Sequence, residues 1–132
     1  MTPLEYFGAS QKVDSWELQL PQQIHGAFGG VTGGALAAAA IALGRTLAPD
    51  RVATGIDIHF LRGLSTTEAV VKVTALSSGR SLTIVRVEFT DASGRSTTEA
   101  RVGFAAPEML RTDIESAGNS EGLMGPPPLD LA

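Results

Sequence analysis

The stretch Phe28-Gly29-Gly30-Val31-Thr32-Gly33-Gly34-Ala35-Leu36-Ala37-Ala38-Ala39-Ala40-Ile41-Ala42-Leu43-Gly44-Arg45-Thr46-Leu47 decides how the rest of the chain is read. Ala and Leu are strong helix formers, so this composition predicts one long helix over residues 28–47. At ~1.5 Å per residue it would be ~30 Å long. No formal charge occurs from Leu18 to Gly44. A membrane span needs ~20 strongly apolar residues. Here Pro21, His25 and the glycines interrupt a segment whose apolar part is mostly Ala, so a buried helix is the better reading. Gly26, Gly30 and Gly34 are spaced by four, as are Gly29 and Gly33. That spacing predicts a bare helix face pressed against a sheet.

Beyond the helix the pattern changes to period two. Val52, Ile56, Ile58 and Phe60 alternate with Ala53, Gly55, Asp57 and His59, the signature of a strand with one apolar face. Residues 69–76, 81–90 and 96–104 read as three further strands, joined by the turns Ser77-Ser78-Gly79 and Asp91-Ala92-Ser93-Gly94. A four-residue second turn would set Arg86 opposite Glu99 as a cross-strand ion pair. Trp16 to Leu20 supplies one strand before the helix. The order is therefore one strand, a central helix and four antiparallel strands, which is an α+β domain with a sheet of about five strands. One helix cannot cover both faces of such a sheet, so a second subunit is expected over part of it.

The net charge of −4 for 132 residues is unevenly placed. Residues 1–106 carry nine acids and nine bases, whereas residues 107–132 carry five acids against Arg111 alone. The first segment reads as the folded domain. The second, with Pro126-Pro127-Pro128 and no aromatic residue, reads as an acidic mobile tail with a short helical turn near Met109 to Glu115. A neutral body without clustered Lys and Arg excludes a nucleic-acid footprint. The absence of Cys removes disulfides, thiolate nucleophiles and Cys-bound zinc, and His25 and His59 cannot build a multi-histidine metal site. Met1 to Phe7 lacks the basic and apolar regions of a signal peptide. The expected protein is cytoplasmic, with no membrane segment and no bound metal.

Chemistry is expected first at the glycine-rich helix start, where unpaired backbone N–H groups and the positive end of the helix dipole meet. Glycine lets a ligand oxygen approach that backbone, so an oxyanion or a polarised carbonyl would be held there. No Gly-Lys-Ser/Thr follows and no βαβ unit surrounds it, which argues against a phosphate-binding loop. Among side chains, Asp57 and His59 share one strand face; Asp57 is a candidate general base or nucleophile, and His59 a weaker one. His25, just before the glycines, could reach a substrate at the helix start. Arg62 and Arg80, beside Gly63 and Gly79, could hold the nucleotide end of a coenzyme. For each of these residues an ordinary structural or surface role is the alternative.

Phe28-Gly29-Gly30 leading into an Ala-rich helix, then His59-Phe60-Leu61-Arg62, Ser78-Gly79-Arg80-Ser81 and Arg86-Val87-Glu88-Phe89, resembles the hotdog-fold acyl-CoA thioesterases. The similarity spans about residues 15–105 and is closest to the half-unit of the type II enzymes. It implies a long helix wrapped by a curved antiparallel sheet, completed by dimerisation or by a dimer of dimers. It also implies acyl-CoA as ligand, as in fatty acid metabolism, with coenzyme A entering only as part of the substrate and no separate cofactor. Gly30, with Gly29 beside it, takes the position of the oxyanion-contacting backbone. Thr74 fits the type II threonine, whereas the type II aspartate falls on Gly55 and the glutamine near Arg101. The phenylacetate-type enzymes carry His-Gly-Gly and a helix acid; here Phe28 replaces the histidine, and residues 28–47 contain no acid. The first expectation is thioester hydrolysis with Asp57, helped by Thr74, activating water or attacking directly. The second is a hotdog protein that binds acyl-CoA or another apolar ligand without turnover, as a sensor or accessory subunit.

Overall fold

The computed structural model describes residues 1–26 and 30–108. Its elements are a short helix α1 (Pro3–Tyr6), strands β1 (Ser10–Gln11) and β2 (Trp16–Gln19), helix α2 (Gly33–Gly44), and strands β3 (Val52–Phe60), β4 (Glu68–Ser78), β5 (Leu82–Asp91) and β6 (Ser96–Ala105). All six strands join one antiparallel sheet in the order β1-β2-β4-β5-β6-β3. This is the expected hotdog arrangement, a single long helix against an antiparallel sheet. The sheet has six strands rather than about five, because Ser10 and Gln11 add a two-residue edge pair to β2.

The core forms where two periodicities meet. Leu36, Ala39, Ala40, Leu43 and Gly44 recur at helical spacing on one side of α2 and are buried. They face Val71 on β4, Val85, Val87 and Phe89 on β5, and Ala100, Val102 and Phe104 on β6, all fully buried. Alternation along each strand carries Lys72, Thr74, Arg86, Glu88, Glu99, Arg101, Asp57 and His59 to the opposite, outer face of the sheet. Helix α1, closed by a Thr2–Glu5 capping box, packs Leu4 and Phe7 onto the same core. The Thr2-Pro3-Leu4-Glu5 stretch carries the sequence signature of this cap.

Helix α2 is shorter than expected. It begins at Gly33, five residues later than Phe28, and ends at Gly44 before a 3-10 turn Arg45–Leu47. The cause lies at the N-cap: the Thr32 backbone is extended, and its hydroxyl accepts the Ala35 N–H at 3.4 Å. Twelve residues give a helix ~18 Å long. The four-residue glycine spacing does not make one packing face either. Gly33 and Gly44 each lie against an aromatic ring of the sheet, whereas Gly34 has nothing within 4 Å of where a Cβ would stand.

The expected Arg86–Glu99 pair is also corrected. Thr90 pairs with Ser96, which leaves Asp91 to Arg95 in the loop, and a bulge then inserts Thr97. The Asp91 carboxylate accepts the N–H groups of Ser93 and Arg95, and Gly94 takes a positive φ of 86°. Two residues of register are displaced, so Arg86 faces Arg101 and Glu88 faces Glu99. The Arg86 ion pair is with Glu88 of its own strand, at 3.6 Å. Residues 107 and 108 extend past β6, and the expected helical turn at residues 109–115 lies outside the described residues, as does the rest of the acidic tail.

Candidate functional site

The approach to α2 is built by backbone pairing. His25 bridges Val31 in antiparallel fashion; the Gly26 N–H donates to the Gly30 carbonyl at 2.6 Å, and the Thr32 N–H donates to the Ile24 carbonyl at 2.9 Å. The Val31 N–H donates to the Leu64 carbonyl at 2.8 Å, which fastens the helix start to the β3–β4 loop. Gly30 lies in this pairing, two residues before the N-cap. Gly29 and Phe28 lie outside the described residues.

The first N–H groups of any helix lack an acceptor inside it. In α2 the Ala35 N–H is taken by the Thr32 hydroxyl and the Leu36 N–H by the Thr32 carbonyl. Gly33 and Gly34 therefore present the N–H groups that the helix itself leaves over, and both residues are exposed. The sequence reading, which starts the helix at Phe28, assigns this role to Gly29 and Gly30, whereas α2 begins at Gly33. The extended N-cap threonine was the signal that would have moved it to Gly33.

A cavity of about 360 Å³ opens beside these residues, lined by Val31, Gly33, Leu36, Phe60, Arg62, Gly63 and Leu64. Its walls are apolar except for Arg62, and the Phe60 ring lies over Gly33. Phe60 is 54% exposed, a large aromatic left half in solvent at the end of β3. This arrangement offers backbone donors and dipole to a carbonyl oxygen, an apolar wall to a chain, and one guanidinium to an anion.

The structure brings together Gly30, His25 by its backbone, and Arg62. The other candidates lie apart from them. Asp57 and His59 stand on the outer sheet face, with Asp57 Oδ1 3.7 Å from His59 Nε2 and side chains 77% and 64% exposed. Thr74, Arg86, Arg101 and Asp57 form one cross-strand row. Two strands therefore separate Thr74 from Asp57, a distance of about 14 Å at 4.8 Å per strand. Arg80 sits at the far end of the sheet, where Leu82, Ala105 and Val52 are in register, whereas Arg62 follows the last residue of β3. The nine-residue β3 puts roughly 27 Å between those ends. The Arg80 carbonyl accepts from Arg51 at 2.7 Å. Among the described residues no group of three His, Asp or Glu could hold a metal ion.

Solved structures share this fold. A point mutant of a thioesterase from Pseudomonas aeruginosa is 20% identical, with a TM-score of 0.67 over 77% of this chain and 83% of that one. A phenylacetic acid degradation-related protein from Ralstonia eutropha JMP134 is 16% identical, with a TM-score of 0.72 over 78% and 88%. A hypothetical thioesterase from Streptococcus pneumoniae TIGR4, solved with coenzyme A, is 17% identical, with a TM-score of 0.67 over 74% and 84%. No curated protein matches the sequence. The family model for the acyl-CoA thioesterase N-terminal domain matches residues 18–105, from β2 to the last residue of β6. The chain belongs to that family, within the hotdog thioesterase superfamily.

Proposed function

We propose that the protein hydrolyses an acyl-CoA thioester to free acid and coenzyme A. The observation that carries this reading is the cavity at the start of α2, set in a chain of the acyl-CoA thioesterase family. The thioester carbonyl would accept from the backbone at Gly33 and Gly34, with Gly30 and Gly29 in the adjoining segment. Charge developing on that oxygen is stabilised by donors already fixed in place, the largest single contribution in many acyl transfers. The acyl chain would run along Val31, Leu36, Phe60 and Leu64, and Arg62 would meet an anionic part of the coenzyme.

Water must be activated by a base, and Asp57, with Thr74 and His59 on the same face, is the proposed group. Within one subunit Asp57 lies across the sheet from Gly33, so this role requires the site to be completed by a second subunit. Strand β3 supports such a homodimer: it is a sheet edge, with Ile56 36% exposed along it. His25 and Arg80 are proposed substrate contacts on the same terms. No described helix is long and apolar enough to cross a membrane, and a cytoplasmic role in fatty acid metabolism accords with the cysteine-free composition.

A second reading, acyl-CoA binding without turnover, is favoured by one observation: the described residues lining the cavity include no carboxylate. The deciding experiment is free-thiol release from acyl-CoAs of several chain lengths, run beside a binding measurement. Turnover by the wild type that falls in Asp57→Ala supports hydrolysis with Asp57 as base. Turnover unchanged in that variant keeps the enzyme and removes the base. Binding with no thiol release at any chain length establishes the second reading.

A further inference from the structure

Residues 33–44 of α2 carry no polar side chain. A helix that is apolar all round is normally covered all round. Leu36, Ala39, Ala40 and Leu43 are buried against the sheet, whereas Ala38 on the opposite side is exposed, with Ile41 and Ala42 half-buried beside it. Helix α1 packs against α2 and walls two hollows on this outer side. One, of about 480 Å³, lies between Tyr6, Phe7, Ile24, Ala35 and Ala38. The other, of about 450 Å³, lies between Leu4, Ala38, Ile41, Ala42 and Arg45. Thr2 and Pro3 line both, so the two adjoin at the start of α1.

Ala35, Ala38, Ala42 and Arg45 recur at i, i+3, i+7 and i+10, which places them on one stripe of the helix surface. At ~1.5 Å per residue the joined groove runs ~15 Å from Ala35 to Arg45. Every side chain that lines it is uncharged except that of Arg45, which ends it. Arg45 is exposed, and among the described residues no carboxylate pairs with its guanidinium. A long apolar groove that ends in one unmatched guanidinium is the complement of an unbranched chain with one carboxylate end.

We infer that this groove binds a fatty carboxylate, with its chain along Ala42, Ala38 and Ala35 toward Ile24 and its carboxylate on the Arg45 guanidinium. The alanine floor lets the chain lie close to the helix, and each methylene withdrawn from water tightens the complex. The α1 wall is fixed beforehand by the Thr2–Glu5 capping box and by the Phe7 carbonyl, which accepts the Gln19 N–H at 2.8 Å. Binding therefore spends little on ordering the protein. The groove shares no lining residue with the cavity at the start of α2. Helix α1 also precedes residues 18–105, the part of the chain that matches the acyl-CoA thioesterase family. The free acid that the proposed hydrolysis releases has this chemistry, but the fit of the groove does not depend on that hydrolysis.

The test is isothermal titration calorimetry of the full chain with octanoate, decanoate and dodecanoate, each below its micelle concentration, and with 1-decanol. Wild-type affinity is expected to rise about two- to four-fold per added methylene. Arg45→Gln is expected to weaken decanoate several-fold and to leave 1-decanol unchanged. Ala38→Phe, which fills the groove where the two hollows adjoin, is expected to abolish binding of both and to leave any thiol release from acyl-CoA unchanged. Circular dichroism confirms that each variant is folded; should Ala38→Phe not fold, Arg45→Gln and the chain-length series decide the matter. An affinity that does not change with chain length overturns the inference, and so does a decanoate affinity untouched by Arg45→Gln. Decanoate binding that survives in a folded Ala38→Phe but is lost in Gly33→Trp places the acid in the other cavity and overturns it as well. An Ala38→Phe variant with half the wild-type mass in sedimentation velocity also overturns it, because a second copy then covers the groove.

Discussion

A Cβ at Gly33 would stand 3.1 Å from the Phe60 Cζ. The first residue of α2 and the last residue of β3 are therefore in closer contact than any side chain at position 33 allows without displacing the ring. One residue along the situation reverses, since a Cβ at Gly34 would meet nothing within 4 Å. Both glycines cost helix stability relative to alanine, by roughly 0.5–1 kcal/mol each. Gly34→Ala is accordingly expected to raise Tm by several degrees, as about 1 kcal/mol shifts a domain of this size by 4–8 °C. Gly33→Ala is expected to melt below Gly34→Ala, and to lower acyl-CoA turnover or binding several-fold by moving the ring that walls the cavity. Thermal denaturation and thiol release on the two variants check this. Equal melting points would show that the Phe60 ring gives way freely.

The other end of α2 is held by a contact of the opposite kind. A Cβ at Gly44 would stand 3.2 Å from Phe104 Cε2 and 3.3 Å from its Cζ, and both residues are buried. Phe104 has no solvent to swing into. Overpacking a filled core costs about 1–3 kcal/mol, which exceeds the helix-propensity gain of alanine. Gly44→Ala is therefore expected to lower the urea midpoint with an unchanged m-value. A double variant, Gly44→Ala with Phe104→Leu, tests the cause: it should lose less than the sum of the two single changes.

How far the sequence revealed this molecule depends on which physical effect governs each part. The strands were legible because alternation is a direct projection of burial: Ile58, Val71, Val87 and Val102 all lie on the helix-facing side that the pattern assigned. Register was not legible, because it turns on the Asp91–Arg95 loop and the Thr97 bulge, and two residues there move every cross-strand charge pair. The helix start escaped for a related reason. Composition spreads the helical signal over Gly29 and Gly30, whereas one extended residue, Thr32, ends it. The candidate site depends on both features, so Arg62 and the glycine segment came together while Asp57 and Thr74 stayed on the far side of the sheet. Phe60 and Leu64 wall the cavity, a role that strand alternation by itself does not mark.

Strand β3 provides the last test. Among the described residues its nine residues pair only with β6, and β3 forms an edge of the sheet. Natural edge strands are usually short, bulged or charged, which prevents association with other chains. Here the only irregularity is the bulge between Ala53 and Gly55, and Ile56 to Phe60 runs on without interruption in register with β6. A long edge strand with exposed Ile56 and Phe60 is the feature expected of a strand that pairs with its own copy across a two-fold axis. Placing a charge there should block it. Ile56→Lys is expected to dissociate the edge dimer, to alter the monomer's stability by less than the several kcal/mol of a buried charge because Ile56 is already 36% exposed, and to abolish turnover if the second subunit completes the site. Sedimentation equilibrium and thiol release on the same sample separate the outcomes. A dimer that persists in this variant places the contact elsewhere on the sheet, and a monomer with full turnover shows that one subunit holds the whole site.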